Sequence, residues 1–264
     1  MKKLKYQIFV INMPNSKKRY QHINSQLQKL NIDFERIDGC DISLLSDDEL
    51  NKYYSLKKNY RTFPKLLIKG EIGCYIAHVK CWEKIFENNL DFGIILEDDI
   101  LIDEKLPLAI KFLEDNYNKW EFIRLQQETK SRRCYNKEIF KDFSIYEFVR
   151  TSGCTWGYAL NHHTTKKLLD NILPFGMTVD SNMHVYFQFD INVKTLIPPI
   201  VFARPNENSD IAISGERKKI KNLYPFARQI FSIKAYIGRY LQLIKRDKIK
   251  LFLQRIIKSE IIHP

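Results

Sequence analysis

Three consecutive acids, Glu97, Asp98 and Asp99, interrupt the apolar run from Phe92 to Ile102. A carboxylate taken out of water is costly unless something positive faces it. In a strand, successive side chains alternate, so Glu97 and Asp99 should project to one side and Asp98 to the other. Open α/β sheets bind ligands at the carboxyl ends of their strands. Two hard oxygen donors placed there suit Mg²⁺ or Mn²⁺, with coordination positions left for phosphate oxygens and water. A solvated acidic turn fits the same residues, and phosphatases also carry acids at strand ends. The triplet by itself names no reaction.

A second group holds softer ligands. Cys74, His78 and Cys81 stand at i, i+4 and i+7, so a helix would line up two thiols and an imidazole that could hold Zn²⁺. No fourth ligand accompanies them, and small cysteines are common in helix interiors, so burial is the simpler expectation. His78 reads as a residue near a bound anion or as a satisfied structural histidine. His162, His163 and His184 carry weaker signals, although His184 could add a metal ligand. Trp156 and Tyr158 could stack on a sugar, but core filling is the expectation for them.

The elements that must position these residues alternate between strand-like and helix-like, the pattern of an α/β domain. Tyr6 to Asn12 reads as a buried strand, followed by a helix-compatible stretch from Ser16 to Leu30. Phe34 to Ile37 suits a second strand leading into the turn dipeptide Asp38-Gly39. Ser46 and Glu49 have capping-box spacing. From Glu71 to Phe86, the residues Ile72, Tyr75, Ile76, Val79, Trp82 and Phe86 share one helical face. Further strands are expected at Gly93–Leu96, Glu121–Leu125 and Thr155–Leu160, with helices over 106–117 and 164–173. Ile197 to Ser214, with Pro198, Pro199 and Pro205, reads as a loop region.

The net charge of +12 is unevenly spread. From Arg217 onward there are 13 Lys and Arg against two acids, whereas the first 216 residues hold 30 against 29. In that tail Ile230, Ile233, Ile237, Leu241 and Ile244 form one helical stripe with Arg228, Arg239 and Arg246 opposite, and Ile249, Phe252, Leu253 and Ile256 form a second. Amphipathic cationic helices of this kind either pack on a body or lie on an anionic membrane surface, and the concentration of charge favours the membrane. A nucleic-acid role is disfavoured, because the tail has no recognised binding signature and the neutral body would be left without a task. Five scattered cysteines with no Cys-x-x-Cys pair suit a reducing compartment. No run is long enough to span a bilayer, and the basic start reads as a first strand, not as a signal peptide.

Four segments occur in an order that resembles glycosyltransferase family 25: Phe9 to Arg19, Lys69 to Trp82, Ile94 to Ile100, and Gly157 to Asp180. The resemblance covers about the first 215 residues, which it implies are one GT-A-like, Rossmann-like nucleotide-sugar domain, with 216–264 a basic helical extension. It implies an inverting, metal-dependent hexosyltransferase that uses a donor such as UDP-galactose and a lipid-linked lipooligosaccharide acceptor, at the cytoplasmic face of a bacterial inner membrane. Carried over, Glu97 and Asp99 hold Mn²⁺ or Mg²⁺. Asn12, Arg19, Asp38, Gly39, His78 and Asp98 surround the donor. Inversion needs a general base separate from the metal ligands. Asp180 takes that place, with Glu71, near a helix start, as its rival. Asp180 could instead be only a helix N-cap. Tyr20 and Ala77 depart from the family pattern, where arginine and serine are frequent. Two readings from other classes share single features: a nucleic-acid binder using the tail, and a metal-dependent phosphatase or nucleotidyltransferase using the acids.

Overall fold

The structure, a computed structural model, describes residues 3–150, 153–205 and 219–263. The expected boundary at Gly215 lies outside the described residues, as does the 206–214 part of the expected loop region from Ile197 to Ser214.

At the centre is a nine-stranded mixed sheet. One half of it starts with β1 (Tyr6–Asn12), which runs parallel to β2 (Glu35–Asp38) on one side and to β3 (Phe92–Glu97) on the other. Ile8, Phe9 and Val10 are all buried, the continuous apolar run that a central parallel strand covered on both faces requires. Helix α1 (Lys17–Lys29) covers one face with Ile23 and Leu27. The short α2 (Asp47–Tyr53) begins with the expected capping box of Ser46 and Glu49, and α3 (Leu56–Thr62) follows it. The other face is covered by α4 (Lys69–Glu87), which buries Ile72, Tyr75, Ile76, Val79 and Trp82 as its spacing predicts. Phe86 departs from that set: it is exposed and stacks on His162.

Past β3 the chain adds β4 (Ile100–Ile102), α5 (Leu106–Asp115) and β5 (Phe122–Arg124). Next comes a hairpin of β6 (Arg132–Ile139) and β7 (Ser144–Phe148), then β8 (Gly157–Asn161), α6 (His162–Ile172), α7 (Val179–Met183), β9 (Val193–Ile197) and β10 (Val201–Ala203). Strand β8 lies antiparallel between β3 and β5, so Gly157 and Tyr158 stand beside the strand end that carries the acids. Sequence periodicity gives no sign of β6, β7 or β9.

The tail forms α8 (Ala227–Ile257) and β11 (Glu260–Ile262). A non-helical residue, Lys248, divides α8 where the second predicted stripe begins. Strand β11 pairs antiparallel with β6 and is the edge of the main sheet. The helix is turned the other way from the packing its pattern suggests. Ile233, Ile237 and Leu241 are 56%, 52% and 62% exposed, whereas Arg239 is only 8% exposed. The Arg239 guanidinium donates to buried Glu147 at 2.7 Å and to Asn192 at 3.0 Å, and Arg246 reaches the same Glu147 oxygen at 2.7 Å. A buried carboxylate needs such partners, and beside them Phe231, Ala235, Leu243 and Phe252 pack on the body, so the helix docks through this face and leaves Ile233, Ile237 and Leu241 outward.

Candidate functional site

The carboxyl ends of β1 and β3, the loop after β2 and the first turns of α4 enclose a cleft of about 550 Å³. Glu97, Asp98, Asp99, Arg19 and Cys74 line it, with the backbone of Gly39. Close packing shapes one wall. A Cβ on Gly73 would lie 2.1 Å from the Cys40 carbonyl oxygen, so only glycine lets α4 press against the loop after β2.

All three acids line the cleft, so Asp98 is not turned to the opposite side as strand alternation predicts; the last two sit in a bend and not in the strand, and each acid has different surroundings. Asp98 is buried, accepts a 2.6 Å hydrogen bond from Asn12 Nδ2 and has the Arg19 guanidinium 3.6 Å away. Glu97 accepts a short hydrogen bond from the Thr155 hydroxyl and faces His78 Nε2 at 3.5 Å. Asp99 differs: its Oδ1 is buried with no hydrogen-bond partner among the described residues. Burial, and then the charges of Glu97 and Asp98, push its carboxyl up to about 7, with Arg19 opposing the rise. A buried carboxylate oxygen without a partner, beside two further acids, is the donor set a hard divalent cation satisfies, so the residues fit the implied ion.

Asp180 occupies the first turn of α7, but the N-cap is Thr178, so Asp180 is not the cap. Its Oδ1 accepts from the Ser181 backbone N–H at 2.7 Å, while a Cβ built on Gly153 would stand 3.2 Å from its Oδ2. Gly153 is two residues from Thr155, the Glu97 partner, and two residues of extended chain span only about 7 Å. Cys74 and Cys154 record the same proximity, because burial and then the charges of Glu97, Asp180 and Asp99 raise both thiols. The base candidate therefore lies near the acid cluster, although it does not itself line the cleft.

Other expected site residues are placed differently. Glu71 Oε2 caps its own helix by accepting from the Ile68 N–H at 3.1 Å, and its side chain lines a neighbouring cleft of about 340 Å³. Asp38 does not line the cleft of the acid triplet. Ile37 takes the inward position of β2, and Asp38 points outward to pair with Arg36 at 2.8 Å. His78 is fully buried behind Ala77 and reaches the site only through Glu97. His184 borders the second cleft with Lys65, Arg150 and Arg228; burial and then the Arg150 charge lower its pKa to about 4. Cys81 is buried, its thiol raised first by burial and then by Glu35. Tyr158 is a core residue whose hydroxyl accepts from Trp82 Nε1 at 3.0 Å and bonds His78 Nδ1 at 2.9 Å.

Two supporting groups escaped the sequence reading. Thr155 had no distinguishing signal. Arg124 did have one: a charged residue inside the apolar strand Phe122–Arg124 demands a partner. It is fully buried, ion-paired to Glu128, and donates at 3.3 Å to the carbonyl of Gly153, fixing the segment that Asp180 abuts.

Comparison with known proteins gives the family of the chain. Residues 5–183 match the family described as glycosyltransferase family 25 (LPS biosynthesis protein). A putative glycosyltransferase of Haemophilus influenzae is 31% identical over 178 residues, covering 66% of this chain and 61% of that protein. The H. influenzae lipooligosaccharide biosynthesis protein lic2B is 26% identical over 175 residues, covering 62% of each. Xenopus laevis procollagen galactosyltransferase 1-B is 26% identical over 199 residues, which make up 69% of this chain and 31% of that one. Each match thus spans less than two thirds of the relative's length. Among solved structures, a glycosyltransferase involved in glycosylating the major capsid of PBCV-1 aligns at a TM-score of 0.41 and 9% identity, covering 81% of this chain and 98% of that one. With the motif blocks Lys69 to Trp82 and Ile94 to Ile100 both inside the matched region, the chain belongs to glycosyltransferase family 25.

Proposed function

We propose that the protein is an inverting hexosyltransferase that moves a sugar, galactose from UDP-galactose in the first instance, onto a lipooligosaccharide-type acceptor. The observation that carries this reading is the unpartnered, buried Asp99 Oδ1 in a cleft where Asp98 is already held by Asn12 and Arg19. In this reading Glu97 and Asp99 hold Mn²⁺ or Mg²⁺, which would neutralise charge gathering on the departing diphosphate. Arg19 and the backbone around Gly39 bind the nucleotide side of the donor. Asp180 takes the proton of the attacking hydroxyl, so that the oxygen bonds to the anomeric carbon as the carbon–phosphate-oxygen bond breaks on the opposite face. Glu71, its carboxylate engaged at the start of α4, serves as a positioning residue. The acceptor enters from the second cleft, whose Lys65, Arg150 and Arg228 suit an acceptor carrying negative charge.

A panel of nucleotide sugars, scored by thermal shift with and without Mn²⁺ and then by product formation, tests the reading. A metal-dependent shift with one UDP-hexose, followed by sugar transfer, is expected. Hydrolysis without transfer, or no shift with any sugar nucleotide, overturns it.

The exposed face of α8 supports a place of action at a membrane surface. No helix among the described residues is long and apolar enough to cross a membrane. The outward Ile233, Ile237 and Leu241, flanked by exposed Arg228, Lys234 and Lys245, suit the surface of an anionic bilayer at its cytoplasmic face. Changing those three apolar residues to serine should cut binding to vesicles of phosphatidylglycerol and phosphatidylethanolamine at least about tenfold, while turnover of a soluble acceptor persists. Unchanged vesicle binding would remove the membrane from the proposal.

A further inference from the structure

Cys74 and His78 stand one turn apart on α4, and Glu97 meets them from the end of β3. The Cys74 Sγ, a His78 ring nitrogen and a Glu97 carboxylate oxygen all lie within 4.8 Å of one another. From this we infer a site for a soft divalent cation of the zinc class, built of Cys74, His78 and Glu97 and sharing Glu97 with the acid triplet.

One donor pair already has the separation such an ion needs. Zinc bonds of about 2.0–2.3 Å in a tetrahedron set neighbouring donors roughly 3.3–3.8 Å apart, and His78 Nε2 lies 3.5 Å from Glu97 Oε1. A second observation points the same way. His78 is fully buried, yet its Nε2, aimed at the cluster, has no hydrogen-bond partner among the described residues. Its other nitrogen rests on the Tyr158 hydroxyl, which Trp82 holds in turn. A histidine ligand is oriented by this kind of outer contact. Ligation requires the imidazole proton on Nδ1, donated to the Tyr158 oxygen, so that Nε2 offers its lone pair. Thr155 performs the same service for the carboxylate.

Cys74 binds as thiolate, releasing one proton to solvent as the metal–sulfur bond forms. The thiolate is the reason to name zinc and not magnesium, since soft sulfur selects borderline and soft ions. Because Cys74 and Glu97 also line the donor cleft, the fourth position opens there. Three protein ligands with one open position is the pattern of an exchangeable zinc, in contrast to a closed structural site. Cys81, which the spacing grouped with Cys74 and His78, takes no part.

The inference stands apart from sugar transfer, since metal binding is read whether or not any donor is used. The test is titration of the reduced, metal-free, full-length protein with Co²⁺, whose thiolate complexes absorb in the near ultraviolet. One equivalent of Co²⁺ should produce a thiolate charge-transfer band that one equivalent of Zn²⁺ removes and tenfold excess Mg²⁺ does not. Cys74→Ser should abolish the band and weaken Zn²⁺ binding at least about tenfold, whereas Cys81→Ser should keep both. Absence of the band in the unaltered protein overturns the site, even if Cys74→Ser fails to fold. Its persistence in folded Cys74→Ser overturns the site as well.

Discussion

Replacing Asp180 with asparagine should lower the rate of transfer by about 10²–10⁴-fold, the usual contribution of a positioned general base, with donor binding unchanged. The side chain keeps its shape and can still accept from the Ser181 N–H through its carbonyl oxygen, so α7 should remain intact. What is lost is a group able to take a proton. Asp180 also sits outside the acid triplet that would hold the ion, so metal-dependent donor affinity has no reason to change. Single-turnover transfer and donor titration, run side by side on the UDP-hexose identified by the panel, separate the two steps. If the variant transfers sugar at the normal rate, the base lies elsewhere, and Glu71→Gln becomes the next variant to assay.

Asp99→Asn should have opposite effects on binding and on stability. The folded state holds this carboxyl at about 7, above its ordinary value of 3.8. A carboxyl raised by folding favours the folded state most below its ordinary value, and that advantage is lost as pH rises through the folded value. Between about pH 4 and 7 the metal-free protein should therefore lose stability through this group as the acid is forced to ionise beside Glu97 and Asp98. Asparagine removes that burden. At pH 8 without divalent ions the variant should melt higher than the unaltered protein, by on the order of 5 °C. With Mn²⁺ and donor present the order should reverse, because a ligand oxygen has gone and metal-dependent affinity falls at least about tenfold. Differential scanning calorimetry of both proteins at pH 5 and pH 8, with and without Mn²⁺ and donor, checks these orders. A variant that melts lower than the unaltered protein at pH 8 in the metal-free state would show that Asp99 is held in some other way.

Much of the half of the fold around the cleft was legible because charge in an apolar setting has few explanations. The triplet after Phe92–Leu96, the face of α4 and the Ser46 capping box all appear where local pattern places them. The hairpin of β6 and β7 was not legible. Its strands expose Arg133, Lys137 and Ile139 at the sheet margin, and the turn between them has neither glycine nor proline. Nor could the direction of Asp38 be read, since a one-residue choice of face decides it. The orientation of α8 was hidden for a different reason. A stripe of isoleucines usually marks the buried side, and here the other face is docked instead, through Phe231, Ala235, Leu243 and Phe252 together with the Arg239 and Arg246 pairs to buried Glu147. Those pairs join residues 92 and 99 positions apart in the chain.

The grip of Glu147 on α8 has a geometric result for any lipid-seated state. With helix and sheet joined as one piece, the catalytic opening would ride at a constant altitude above the headgroups. The ruler for choosing an acceptor would then be length: a glycan too short would stop beneath the opening, and one too long would carry its terminal sugar past it.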